Sequence, residues 1–119
     1  MLSIINNIKI LCLDVVEKAK SGHPGAPLGI SHCLFILFTK FLNIDPTQPD
    51  HFQRDRFILS NGHACVILYV LLFLLGYDYN LDDLKNFRQL HSKTPGHPEY
   101  DPKLGIDAST GPLGQGIAN

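Results

Sequence analysis

Seven residues near the amino terminus divide this chain. Ser21-Gly22-His23-Pro24-Gly25-Ala26-Pro27 holds two prolines and two glycines, and such a stretch cannot continue a helix. On its amino-terminal side, Ile4, Ile5, Ile8, Leu11, Cys12, Val15, Val16 and Ala19 recur at helical spacing, with Asn7, Lys9, Asp14, Glu17 and Lys18 between them. This pattern predicts an amphipathic helix from Ser3 to Lys20. On its other side a second helix is expected from Leu28 to Phe41. It is apolar almost all round and should therefore be buried.

Asn43 to Gln53 carries Pro46 and Pro49 and reads as a surface loop. Arg56-Phe57-Ile58-Leu59-Ser60 is short and apolar in its middle, and predicts a buried strand. Asn61-Gly62-His63 turns from it into the apolar run Ala64 to Leu75, which Gly76 can end as a C-cap. Strand, glycine-containing turn and helix in succession are how an α/β domain presents a helix start at a sheet edge. Asn80, followed three residues later by Asp83, has the spacing of a capping box and opens a helix from Leu81 to about Leu90. From His91 to Gly116 the chain is rich in Gly, Pro, Ser and Thr, and a loop of that length in a compact domain is functional or disordered. Gly114 to Asn119 reads as the first turn of a helix that does not develop, so the expectation is that this chain is a piece of a longer one.

Composition narrows the function classes. The apolar and charged fractions, 45% and 18% of 119 residues, are those of a globular chain able to bury a core. A net charge of −1 gives no broad nucleic-acid surface, so any anion site must be local. The twelve-residue apolar run falls short of the roughly 20 residues a bilayer span needs, so no membrane segment is expected. The start lacks the order of a signal or transit peptide. Cys12, Cys33 and Cys65 are odd in number and lie in apolar runs, which suits small buried hydrophobes in a reducing compartment better than a disulfide framework.

Three histidines share an unusual context. His23, His63 and His97 each follow a glycine directly, in Ser-Gly-His-Pro-Gly, Ser-Asn-Gly-His-Ala and Thr-Pro-Gly-His-Pro-Glu. Glycine lets backbone approach a ligand closely, and imidazole can donate, accept or shuttle a proton near neutral pH. His32, His51 and His91 lack that context and read as ordinary histidines. No HxH, HExxH or CxxC pattern is present, which argues against zinc. A second constellation, Ser109-Thr110-Gly111-Pro112-Leu113-Gly114-Gln115-Gly116, offers small residues and amides to a flat ligand or a phosphate.

Four segments in order carry a resemblance. Lys20 to Gly29, Leu59 to Ala64, Thr94 to Glu99 and Thr110 to Gly116 resemble the successive signatures of transketolases, across essentially the whole chain. The resemblance implies an α/β thiamin-diphosphate-binding fold, with residues 1–119 as the first part of the pyrophosphate domain and helices dominating the portion present. It implies an enzyme that moves a two-carbon ketol unit from a ketose phosphate to an aldose phosphate in the pentose phosphate pathway. Its cofactors would be thiamin diphosphate and Mg2+ or Ca2+. By position in the motifs, His63 would hydrogen-bond the diphosphate, with His97 also beside the cofactor. Gly111, Pro112 and Leu113 would line the pyrimidine and diphosphate region. His23 and His97 would act as catalytic residues facing substrate oxygens, and His23 and Arg88 would contact substrate.

The same resemblance implies a homodimer with its active site between subunits, in the cytoplasm. The family's Gly-Asp-Gly motif and later Asn, which hold the metal, do not occur here, so no metal ligand is expected in this segment. Nor do the activating glutamate of the second domain and the phosphate-binding arginines. The isolated chain is therefore expected to be inactive. Dihydroxyacetone synthase, deoxyxylulose-phosphate synthase and a non-catalytic truncated binding or assembly piece are the rival readings.

Overall fold

The computed structural model describes residues 1–118. Helix α1 runs Leu2–Ala19 and buries Ile5, Ile8, Cys12 and Val15, one stripe at helical spacing. Leu2, Ile4, Ile10 and Leu13 stay exposed on its other sides. Lys20 ends it in a left-handed conformation, φ 52°. Helix α2 runs Gly25–Ile36, three residues earlier than the proline-rich stretch suggests. Pro27 falls in its first turn, where the missing N–H has no intrahelical partner to lose. The segment Leu37–Phe41 continues it as a π turn, closed by Leu42 N–H donating to Leu37 O at 3.0 Å.

Burial of α2 differs from the expectation. Pro27, Ser31 and Leu34 are buried, as is Phe38 in the π turn, while His32, Cys33, Ile36 and Phe41 are exposed. An apolar helix on the outside of a small bundle has neighbours on one side only. Cys33 is therefore not the buried thiol expected of it, whereas burial pushes the Cys12 and Cys65 thiols up to about 12.

Helix α3, Cys65–Leu75, is the centre of the molecule. Every residue from Cys65 to Leu72 is buried, so it needs no amphipathic pattern. It packs against α1 and α2, and α1 in turn meets helix α4, Leu81–Lys85. Each fully buried aliphatic side chain here contributes about 1.5–3 kcal/mol of hydrophobic stabilisation. Gly76 caps α3 at φ 96°, as its position suggests. The capping box of α4 also forms: Asn80 Oδ1 accepts from Asp82 N–H at 2.8 Å and Asp83 N–H at 2.9 Å, and Asp83 accepts from Asn80 N–H at 2.8 Å.

Two expected elements differ. Helix α4 stops at Lys85 rather than near Leu90, because Arg88 and His91 take left-handed conformations (φ 61° and 62°) and Arg88 N–H donates to Thr94 O at 2.9 Å. Residues 56–60 form no strand. A strand needs an extended neighbour, and among the described residues none lies alongside. Phe57 N–H instead donates to the Asp107 carboxylate at 2.9 Å, and the described residues contain one isolated bridge, Asp101 with Ile106. Asp107 is held by Arg54 in a buried ion pair, Nη1 to Oδ2 at 3.0 Å with a second, shorter contact from Nη2. The expected helix start at Gly114–Asn119 is a 3₁₀ turn, Gln115–Ile117, and Asn119 lies outside the described residues. No described helix is long and apolar enough to cross a membrane.

Candidate functional site

The breaker between α1 and α2, the turn into α3, the loop after α4 and the glycine-rich segment meet at one end of the bundle. His23 and His63 stand edge to face, with ring centroids 5.1 Å apart. Arg88 Nη1 donates to Ser21 Oγ at 2.9 Å, and Nη2 lies 3.3 Å from His23 Nδ1. His97 lies over Gly111, where an added Cβ would meet its ring at 3.4–3.5 Å. The structure thus brings together His23, His63, Arg88, His97 and Gly111. Pro112 and Leu113 follow on the exposed surface, Leu113 at 74% exposure.

Two contacts set this geometry. Gly62 lies so close to the glycine-rich segment that a Cβ there would sit 2.8 Å from Gly111 N, Thr110 C and Thr110 Oγ1, so no side chain is possible without moving backbone. Thr110 N–H donates to Pro98 O at 3.1 Å, tying that segment to the His97 loop. The loop is pinned from below by α3: Tyr69 Oη donates to Pro95 O at 2.9 Å, and Cys65 Sγ donates to Gly96 O at 3.1 Å. In the sequence Tyr69 and Cys65 are simply part of the apolar run, and nothing gives Ser21 a role of its own. Their alternation with aliphatic residues in an all-buried helix carries no separate signal.

The polar groups of the cleft are largely uncommitted. Among the described residues, the imidazole nitrogens of His63 and His97 and the Gly111 N–H make no hydrogen bond. The buried Thr110 Oγ1 and Arg88 Nε also lack partners. What desolvation the exposed His23 ring has, then the Arg88 guanidinium, then His63 and His97, hold its pKa below the usual histidine value, which favours a neutral ring. An open groove of about 450 Å3, lined by Arg88, Gln89, Leu90, Pro95, Gly96 and His97, runs along one side. No group of three or more His, Cys, Asp or Glu side chains among the described residues is arranged to hold a metal ion.

Free imidazoles, a free amide and an orphaned hydroxyl in one cleft suit a ligand rich in hydrogen-bonding oxygens and nitrogens. Comparison with known proteins agrees. Residues 2–119 match the family described as "Transketolase, thiamine diphosphate binding domain". Transketolase 2 of Escherichia coli is 58% identical over 116 residues, which are 98% of this chain and 17% of that protein. The structure of transketolase from Leishmania mexicana superposes with a TM-score of 0.93 at 47% identity, over 98% of this chain and 17% of that one. A Pichia stipitis transketolase in complex with sedoheptulose 7-phosphate superposes at 0.91 and 53% identity, over 95% and 17%. The chain therefore spans about a sixth of the length of these relatives, and within that span it belongs to the transketolase family, in the thiamine diphosphate binding domain.

Proposed function

We propose that residues 1–119 form the amino-terminal part of a thiamin diphosphate site in a transketolase, which transfers a two-carbon ketol unit from a ketose phosphate to an aldose phosphate. The observation that carries this reading is the convergence of His23, His63 and His97 with the Gly111 turn in one cleft. The sugar phosphate bound by the Pichia stipitis relative supports the substrate class.

The residues present fit the cofactor. His63, with both ring nitrogens uncommitted, donates to a diphosphate oxygen, and the free Gly111 amide can do the same. Gly111, Pro112 and Leu113 line the pyrimidine and diphosphate, and Thr110 Oγ1 is a further hydrogen-bonding group in this wall. The cofactor, when bound, supplies the stabilisation of a carbanion. His23 and His97 hold the substrate's hydroxyl and carbonyl oxygens and stabilise the negative charge that develops there. Arg88 borders the substrate side. In this reading Mg2+ or Ca2+ is held by residues outside this segment, and the protein is a cytoplasmic homodimer with the active site between subunits.

The test is a chimera in which this chain replaces the matched 116 residues of the Escherichia coli relative. It should carry out ketol transfer. His63→Ala should weaken thiamin diphosphate binding by about tenfold or more, read by calorimetry. His97→Ala should mainly lower kcat, by about 10²–10⁴-fold. The isolated chain should bind the cofactor weakly or not at all. A folded chimera with neither cofactor affinity nor transfer overturns the reading.

A further inference from the structure

Arg88 occupies a backbone conformation that residues with side chains rarely adopt, φ 61°. Strain of this kind persists where the surroundings over-determine it, and here they do. Phe87 is buried on one side, and Arg88 N–H is held by Thr94 O at 2.9 Å on the other. The turn sends the guanidinium back over the breaker between α1 and α2. Its Nε packs against Gly96, where a Cβ would lie only 3.1 Å away, and its two terminal nitrogens reach Ser21 Oγ and His23 Nδ1.

A guanidinium has five N–H donors, no acceptor, and does not deprotonate. In the contact of Arg88 Nη2 with His23 Nδ1, therefore, the histidine nitrogen is the acceptor. A neutral imidazole that accepts at one nitrogen carries its proton on the other. We propose that Arg88 is a positioning residue that locks His23 in the tautomer protonated on Nε2, so that this exposed ring offers a hydrogen-bond donor beside His63. Nε2 makes no hydrogen bond among the described residues and is available to a ligand. The depressed pKa of the ring agrees, since desolvation first and the neighbouring Arg88 cation second disfavour the imidazolium.

This deepens the reading of the site given above and rests on it for what the donor meets: a substrate hydroxyl or carbonyl oxygen. A neutral ring with its proton on Nε2 cannot take up a proton there. His23 then holds and polarises oxygen, and proton abstraction falls to another group. The fork is what fixes the contact. Arginine spans Ser21 and His23 with two nitrogens in fixed geometry, which a lysine ammonium cannot reproduce.

Long-range proton–nitrogen spectra of the chain with 15N-labelled histidine rings, at about pH 8 where imidazoles are neutral, test this without cofactor or substrate. His23 Nδ1 should resonate as a bare, pyridine-type nitrogen and Nε2 as a protonated, pyrrole-type one. In Arg88→Ala both should move to the tautomer-averaged position, while the amides of α1 and α3 stay in place. Ser21→Ala, which frees one arm of the fork, should give a smaller shift in the same direction. Arg88→Lys should not restore the starting spectrum. If Arg88→Ala unfolds the chain, Ser21→Ala and Arg88→Lys decide, and if the isolated chain is unfolded the same labels are read in the chimera. A His23 protonated on Nδ1, or a His23 spectrum unmoved by these variants, overturns the proposal. A locked tautomer in a chimera without ketol transfer would instead defeat only the functional reading.

Discussion

Helix α3 and the histidine cleft are neighbours built on opposite principles. In α3 eight consecutive residues, Cys65 to Leu72, are buried, and their hold on the rest of the molecule is the non-directional removal of apolar area from water. The cleft draws His23, His63, Arg88, His97 and Gly111 from separate segments, and its geometry depends on single hydrogen bonds and one close backbone approach at Gly62. The two meet at Tyr69 and Cys65, whose polar atoms reach out of the core to hold the Pro95–Gly96 backbone. A core of this kind forgives changes of shape that conserve volume, whereas a cleft of this kind forgives little that moves a donor.

This contrast can be broken most severely away from both regions. Arg54→Met leaves the Asp107 carboxylate buried without its cation, since both side chains are under one-tenth exposed. We expect a loss of about 3–5 kcal/mol in denaturant unfolding, and the loop holding Phe57 should loosen with it. Next in size, Leu72→Ala should cost about 2–5 kcal/mol by opening a cavity beside Gly105 and Tyr77, while leaving the His23 and His97 ring signals in place. Displacement of those signals would show that core and cleft are one unit and not two.

Tyr69→Phe reverses the emphasis. It should cost only about 1 kcal/mol of global stability, the net worth of one hydrogen bond, yet shift the His97 ring signals because the Pro95 carbonyl loses its donor. An unmoved His97 would show that Cys65 and Gly62 suffice to hold the loop. The smallest effect concerns pH. The His23 pKa is lowered in the folded chain, so the unfolded chain binds its proton more readily, and the stability from the neutral ring is present above the ordinary value near 6.5 and lost as pH falls through the lower folded value. Comparing acid unfolding of the parent chain with His23→Gln should show the variant less sensitive across that window.

The elements legible in the sequence are those set by local periodicity and capping. The stripe Ile5, Ile8, Cys12, Val15, the capping box of Asn80 and Asp83, and the stop at Gly76 all form where residue types place them. What escaped was set by neighbours. Residues 56–60 have strand composition, but a strand is a property of a pair of segments. Helix α2 is apolar all round, yet the described molecule covers only one of its sides, leaving Cys33 outside. The end of α4 was hidden because the left-handed turn at Arg88 is stabilised by Thr94, a contact no periodicity announces. Of the site, His23, His63 and His97 were legible by the glycine before each, and Gly111 by its glycine-rich segment. Ser21, Cys65, Tyr69 and Thr110 act through contacts their residue types do not reveal.

Sequence alone determined where the helices lie, though not all of their ends, the breakers between them and the residue types that bear the chemistry, because propensity, capping and apolar spacing act over a few residues. Tertiary structure alone decided that a guanidinium would sit between Ser21 and His23, which nitrogen of that imidazole must accept, and that a tyrosine from the core would hold the His97 loop. Those outcomes depend on directional contacts between residues far apart in the chain, and the direction of a hydrogen bond exists only once both partners have been brought into place.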